Sequence, residues 1–206
     1  MYHRVFLFSF SDYEEALKFI ELLSEHLKGA NIIVDFKGTT VRVRIYGSRS
    51  DIESTFLKIK DLVAIVKGES KGGLRKYPLR YILTNANLKA PIPVNLIQDV
   101  LVLRGFKAEI KRGHIVTDAS LKEVQRILET ISEIYLKLRE VKASPRAKKV
   151  IALLATLTGS SIEESLKMLI DEGIIRTVEK TKAYVITCKY EAAIEAVRKL
   201  LNRTNL

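Results

Sequence analysis

Residues 31–46 read NIIVDFKGTTVRVRIY, two alternating apolar runs joined by Lys37-Gly38. Two β-prone runs hinged on a glycine predict a tight hairpin. In the second run Val41, Val43 and Ile45 share one face, and Arg42, Arg44 and Tyr46 share the other. Side chains repeat every two residues in a strand, so the first set is expected to meet a core and the second to stand away from it.

Working outward, Phe6, Phe8 and Phe10 alternate with Val5, Leu7 and Ser9. Apolar residues on both faces predict a strand covered on at least one side. Ser11 or Asp12 can cap the helix that follows, with Glu14 and Glu15 in its first turn. Ala16, Phe19, Ile20, Leu23 and Leu27 recur at helical spacing before Gly29. After the hairpin, Ser50 is the expected cap of a helix striped by Ile52, Phe56, Ile59 and Val63. The order is strand, helix, hairpin, helix. A strand over LRYILTN, residues 79–85, would complete a ferredoxin-like arrangement. KGESKGGLRKYP, residues 67–78, lies between and reads as an exposed basic linker.

The pattern recurs twice. Pro93 opens a helix with Val94, Ile97, Val100 and Leu101, ended by Arg104-Gly105. FKAEI and HIVTD then form a hairpin around Lys111, Arg112 and Gly113, and Ser120 caps a long helix. Later, Ile162, Leu166, Leu169 and Ile170 mark a helix ending at Gly173. IIRTVE and KAYVIT form a hairpin around Lys180, and Ile194, Val197 and Leu201 mark the closing helix. An additional helix precedes this unit, from about Ala147 to Leu157, after Ser144-Pro145. The expected fold is α+β, built from tandem helix-hairpin-helix (αββα) modules, the first ferredoxin-like with an N-terminal strand. Its expected divisions are residues 1–76, 77–143 and 144–206. The repeat is one of pattern, not of identity, so it fits internal duplication and also the common use of this motif to build two layers.

Lys and Arg number 35 against 24 Asp and Glu, a net charge of +11. The excess is spread along the chain with no basic tail. Such a balance favours polyanionic partners. Cys188 is the one cysteine, so no internal disulfide framework exists, which suits a reducing interior. No uncharged apolar stretch reaches the ~18 residues of a spanning helix, and the start lacks a secretory cleavage site. A cytoplasmic protein without membrane association is expected.

Catalytic signals are weak. His3, His26 and His114 are isolated, and Cys188 reads as a small core residue. Gly68 and Gly73 have phosphate-loop spacing, but Leu74 and Arg75 stand where Lys and Ser/Thr are required. Asp35 with Asp61, or Glu163 with Glu164, could pair, yet no nucleophile, base and orienter set emerges. No metal or cofactor is implied.

Polyanion binding has more support. Arg42, Arg44 and Tyr46 on one strand face can hold phosphates and stack a base, though edge arginines also serve solubility. Lys71, Arg75, Lys76 and Arg80 form the densest basic cluster, in what also reads as a solvated linker. Lys107, Lys111 and Arg112 mark the second hairpin, and Arg176, Lys180 and Lys182 the third.

Residues 150–187, VIALLATLTGSSIEESLKMLIDEGIIRTVEKTKAYVIT, resemble a winged helix-turn-helix, turning at Gly159-Ser160 and ending in a two-stranded wing. The resemblance implies DNA binding through the second helix. That helix carries Glu163, Glu164, Asp171 and Glu172 with only Lys167 as a base, and acidic residues repel phosphate. The first unit resembles an RNA-recognition module in element order, with Tyr46 as the one matching aromatic. The opening RVFLFSF…EEALKFIELL, the length and the basic, Ile-rich composition resemble an archaeal family of uncharacterised proteins, which implies no activity. The expectation is a non-catalytic nucleic-acid-binding protein, with RNA or a ribonucleoprotein such as the ribosome preferred. A winged-helix DNA-binding regulator and a protein-interaction module are the alternatives.

Overall fold

The computed structural model describes residues 2–69 and 73–203. The chain is mixed α and β with small antiparallel sheets. In order, its elements are β1 (Tyr2–Ser9), α1 (Tyr13–His26), β2 (Ile32–Lys37), β3 (Thr40–Gly47), α2 (Arg49–Glu69), β4 (Arg75–Pro78), α3 (Leu79–Asn85), α4 (Val94–Leu103), β5 (Ala108–Lys111), β6 (His114–Thr117), α5 (Leu121–Lys137), α6 (Pro145–Thr158), α7 (Ile162–Asp171), β7 (Ile175–Val178), β8 (Ala183–Ile186) and α8 (Tyr190–Arg203). By compactness the chain forms two units. One comprises residues 1–84 and 111–118, the other residues 85–110 and 119–206.

The first unit is built on the hairpin at residues 31–46. β3 lies between β1 and β2 and runs antiparallel to both. Val41, Val43 and Ile45 are fully buried under α1 and α2. Phe6 stacks on Phe56 of α2 at 4.1 Å between ring centroids, and Phe8 and Phe10 tilt against Phe19 of α1 at 5.4 and 4.9 Å. Asp12 caps α1 by accepting from the Glu15 amide at 2.8 Å.

The cap of α2 is Ser48, not Ser50. The Asp51 amide donates to Ser48 Oγ at 3.2 Å, and Asp51 Oδ2 accepts from the Ser48 amide at 3.0 Å. This reciprocal pair satisfies two helix-end donors. The Ser48 hydroxyl also donates to Asp51 Oδ2 at 2.6 Å, and this bond, followed by that from the Ser48 amide, holds the Asp51 carboxyl below the ordinary range.

The expected strand over LRYILTN is also corrected, because these residues form helix α3. Adjacent Tyr81 and Ile82 are both buried, which a strand with one covered face does not allow. A short apolar run reads equally as strand or buried helix, and packing decides. The strand lies just before it: β4 pairs with β6, setting Tyr77 against Ile115, both fully buried. The first sheet therefore has three strands, with β1 at one edge.

In the second unit α6 is apolar nearly all round, with Val150 through Thr156 buried. It is the core helix, contacted by α4, α5, α7 and α8. Ser144 caps it, Pro145 fills its first turn, and Gly159 ends it in left-handed conformation. Ser120 caps α5, accepting from the Glu123 amide at 3.1 Å. Buried Ser132 of α5 accepts from the Lys89 and Ala90 amides at 2.6 and 2.8 Å, fixing the loop before α4. β7 and β8 form the expected hairpin. Ala143 bridges to Tyr184 of β8 in parallel sense, which ties the start of α6 to that hairpin. No described helix is long and apolar enough to cross a membrane.

Candidate nucleic-acid interface

Cross-strand register assembles the site on the first sheet. The residues of β3 that alternate with its buried set are Arg42, Arg44 and Tyr46. Arg42 lies between Leu7 of β1 and Asp35 of β2. Arg44 lies between Val5 and Ile33, and Tyr46 is opposite His3. α1 and α2 cover the other side of the sheet, so this face is open. Leu7 is 63% exposed, Val5 49% and Ile33 47%.

Short contacts order the polar groups. Arg44 Nη1 donates to the Tyr46 hydroxyl at 3.4 Å, and Arg44 Nη2 lies 3.6 Å from Asp35 Oδ2. The Tyr46 contacts, and to a lesser degree Asp35, hold the Arg44 guanidinium above its already high range, so it is charged at any working pH. The His3 and Tyr46 rings lie 5.5 Å apart at 32°. The face thus offers two guanidiniums, two aromatic rings, one carboxylate and three exposed aliphatic side chains. Guanidiniums bind phosphate and stack on bases, rings stack on bases, and aliphatic side chains cover base faces.

The other basic residues singled out in the sequence are scattered. Arg75 and Lys76 lie on β4, the first half-buried and the second exposed. Arg75 Nε is buried without a hydrogen-bond partner among the described residues. Lys71 falls outside the described residues. Arg80 is engaged by the protein itself: Nη2 and Nε donate to Asp61 Oδ2 at 2.6 and 3.1 Å. That pairing ties α3 to α2 and takes Arg80 out of the expected cluster. Lys107, Lys111, Arg112, Arg176, Lys180 and Lys182 are exposed.

Two of these have unusual backbones. Arg112 (φ 48°) and Lys182 (φ 51°) are the non-glycine residues with positive φ among the described residues. Arg112 and Gly113 (φ 75°) form the two-residue turn between β5 and β6, where both central residues need positive φ.

The residues weighed for chemistry are apart. Asp35 pairs with Arg44 and Asp61 with Arg80. Glu164 closes the capping box of α7 with Ser161, which lowers its pKa. His26 Nε2 lies 3.1 Å from the Tyr81 hydroxyl, and His114 Nδ1 lies 2.9 Å from the Arg112 carbonyl. Cys188 is exposed rather than in the core. It follows the end of β8, where Thr187 Oγ1 donates to the Gly173 carbonyl at 2.7 Å. Among the described residues no group of three or more His, Cys, Asp and Glu could hold a metal ion.

A second polar cluster links α4, α6 and α8. Tyr190 donates to Asp99 Oδ2 at 2.7 Å, and Lys149 Nζ lies 3.8 Å from Asp99 and 4.1 Å from the Tyr190 ring centroid. Burial, then the bond to Asp99, raises the Tyr190 phenol far above its ordinary pKa, so it remains a proton donor in this bond. The three side chains satisfy one another and serve as an interhelix tie.

A family model described as an uncharacterized protein conserved in archaea (DUF2067) matches residues 8–195. The chain belongs to this family. No curated protein and no solved structure matches it. The archaeal family's match begins within β1 and takes in β2 and β3, so Ile33, Asp35, Arg42, Arg44 and Tyr46 lie inside it, and His3, Val5 and Leu7 lie before it.

His3, Val5, Leu7, Ile33 and Asp35 were not legible as members of this face. The signal was their parity. Once β3 is the central strand, odd-numbered residues of β1 and β2 share the face of Arg42 and Arg44.

Proposed function

We propose that this chain is a non-catalytic nucleic-acid-binding protein that holds RNA, free or within a ribonucleoprotein such as the ribosome, on the open face of β1, β3 and β2. The observation that carries the reading is the shared face of Arg42, which is exposed, and half-buried Arg44 and Tyr46 opposite the helices, with His3 beside Tyr46. Arg42 would neutralise phosphate, and Tyr46 would be the principal stacking ring. Arg75, Lys76 and the hairpin cations at Lys107, Lys111, Arg112, Arg176, Lys180 and Lys182 would add backbone contacts. RNA is preferred over duplex DNA because a sheet surface with rings accepts unstacked bases, as single-stranded RNA readers do.

The finer fold reading accompanies this proposal. The order β1-α1-β2-β3-α2 follows the opening of a ferredoxin-like module, and α4-β5-β6-α5 and α7-β7-β8-α8 repeat the helix-hairpin-helix order. A second reading, a winged-helix DNA binder, is favoured by the α6-α7-β7-β8 order and the Ala143–Tyr184 bridge. The acidic α7 counts against groove insertion.

The test is fluorescence anisotropy with single-stranded RNA, duplex RNA and duplex DNA across a salt series. Single-stranded RNA is expected to bind tightest. Replacing Arg42 and Arg44 together with Ala is expected to weaken it at least tenfold and to flatten the log–log salt slope by about 0.7, the one phosphate contact of Arg42. Unchanged affinity in the double variant would refute the sheet-face reading. Tightest binding to duplex DNA would favour the winged helix.

A further inference from the structure

The centre of the open face is built for a base, not for a phosphate. Arg44 is flanked in register by Val5 and Ile33, both about half exposed. Its charge is partly balanced by Asp35, 3.6 Å away. A phosphate placed on Arg44 would meet that carboxylate's negative charge and would leave the two aliphatic side chains in water. A flat base lying on the guanidinium would cover both.

Asp35 then lies at the edge of such a base. Its carboxylate is half exposed, and 3.6 Å from Arg44 is longer than an N–H···O hydrogen bond. Among the described residues nothing donates a hydrogen bond to it, so both oxygens can accept from a ligand. An ionised carboxylate only accepts. The partner it fits is an edge with two adjacent donors. Guanine presents N1–H and N2–H₂ side by side on its Watson–Crick edge. The other bases place an acceptor next to each donor there, which a carboxylate repels. In a duplex that guanine edge is consumed by pairing.

Resting on the RNA-binding reading above, we propose that Arg44 and Asp35, with Val5 and Ile33 as an apolar floor, form a base-reading subsite that selects an unpaired guanine. Arg44 stacks, Asp35 accepts from N1–H and N2–H, and Arg42 remains the phosphate-binding cation of the face.

Anisotropy titrations of the full chain with a short oligouridine, and with the same oligomer carrying one central guanine, inosine or adenine, test this. The guanine oligomer is expected to bind roughly tenfold tighter than oligouridine or the adenine oligomer, the scale of a bidentate base contact. Inosine, which lacks the N2 amine, should fall between guanine and uridine. Asp35→Asn should erase the guanine preference while oligouridine affinity holds or rises, because a negative charge leaves a basic surface. Asp35 is exposed, and matching thermal midpoints check that the variant folds. Equal wild-type affinity for all four oligomers would overturn guanine selection and leave RNA binding intact. Retention of the preference in Asp35→Asn would overturn the role of Asp35. No binding to any oligomer would overturn both this inference and its parent.

Discussion

Gly47 joins β3 to α2 with φ at +150°, and a Cβ there would lie 3.1 Å from Asp51 Cβ. The residue that ends β3 is thus held against the cap of the helix behind it. Gly47→Ala must strain the backbone or displace the Ser48–Asp51 cap. It is expected to cost about 1–3 kcal/mol, read as a lowered urea midpoint. Arg112 poses the opposite case. A side chain sits in left-handed conformation where Asn or Gly is favoured. If the arginine is retained for phosphate contact, Arg112→Asn should hold or raise the thermal midpoint and weaken RNA binding a few-fold. A lowered midpoint with unchanged affinity would mark the arginine as structural.

At the scale of elements, both units depend on how helices are tied to their neighbours. Arg104, at the end of α4, donates to Glu123 Oε1 of α5 at 2.7 Å and to the Thr156 carbonyl of α6 at 3.2 Å. Glu123 also accepts from Arg126 at 3.1 Å, and Arg126, followed by the charge of Arg104, holds its carboxyl below the ordinary range. A depressed carboxyl stabilises the fold above its unfolded pKa, and that contribution fades as pH falls through the lowered folded value. Glu123→Gln is therefore expected to be about 1 kcal/mol less stable at pH 7, with the gap closing below about pH 4. Urea midpoints against pH check this. Leu154 is fully buried in α6, and Leu154→Ala should cost about 2–5 kcal/mol, seen as a large drop in thermal midpoint. Most elements were legible because their signals are local: Asp12 and Ser120 as caps, Gly159-Ser160 as a turn, Gly173 as a stop, and strict alternation in β3. α3 was not, because LRYILTN carries no period long enough to choose between helix and strand, and the burial that decides it comes from other parts of the chain.

At the scale of the whole molecule, a charge of +11 says that phosphate is attractive but not where it binds. Pairing settles that distribution, and pairing is not written in sequence. Arg80 reads like Arg42 until Asp61, 19 residues away, is seen to take it up. Asp35 reads as an isolated hairpin acid until register sets it opposite Arg42 and beside Arg44. The sequence thus disclosed the alternating face of β3, three of the eight residues of the candidate site, and the strands on either side supplied the other five. The central claim is that this face, not a hairpin tip or a helix, receives the RNA. The most direct measurement is an amide ¹H–¹⁵N NMR titration with a short single-stranded RNA. The account predicts that the largest shifts fall on residues 3–7, 33–35 and 42–46. Shifts gathered on residues 176–182, with the first sheet unmoved, would contradict it.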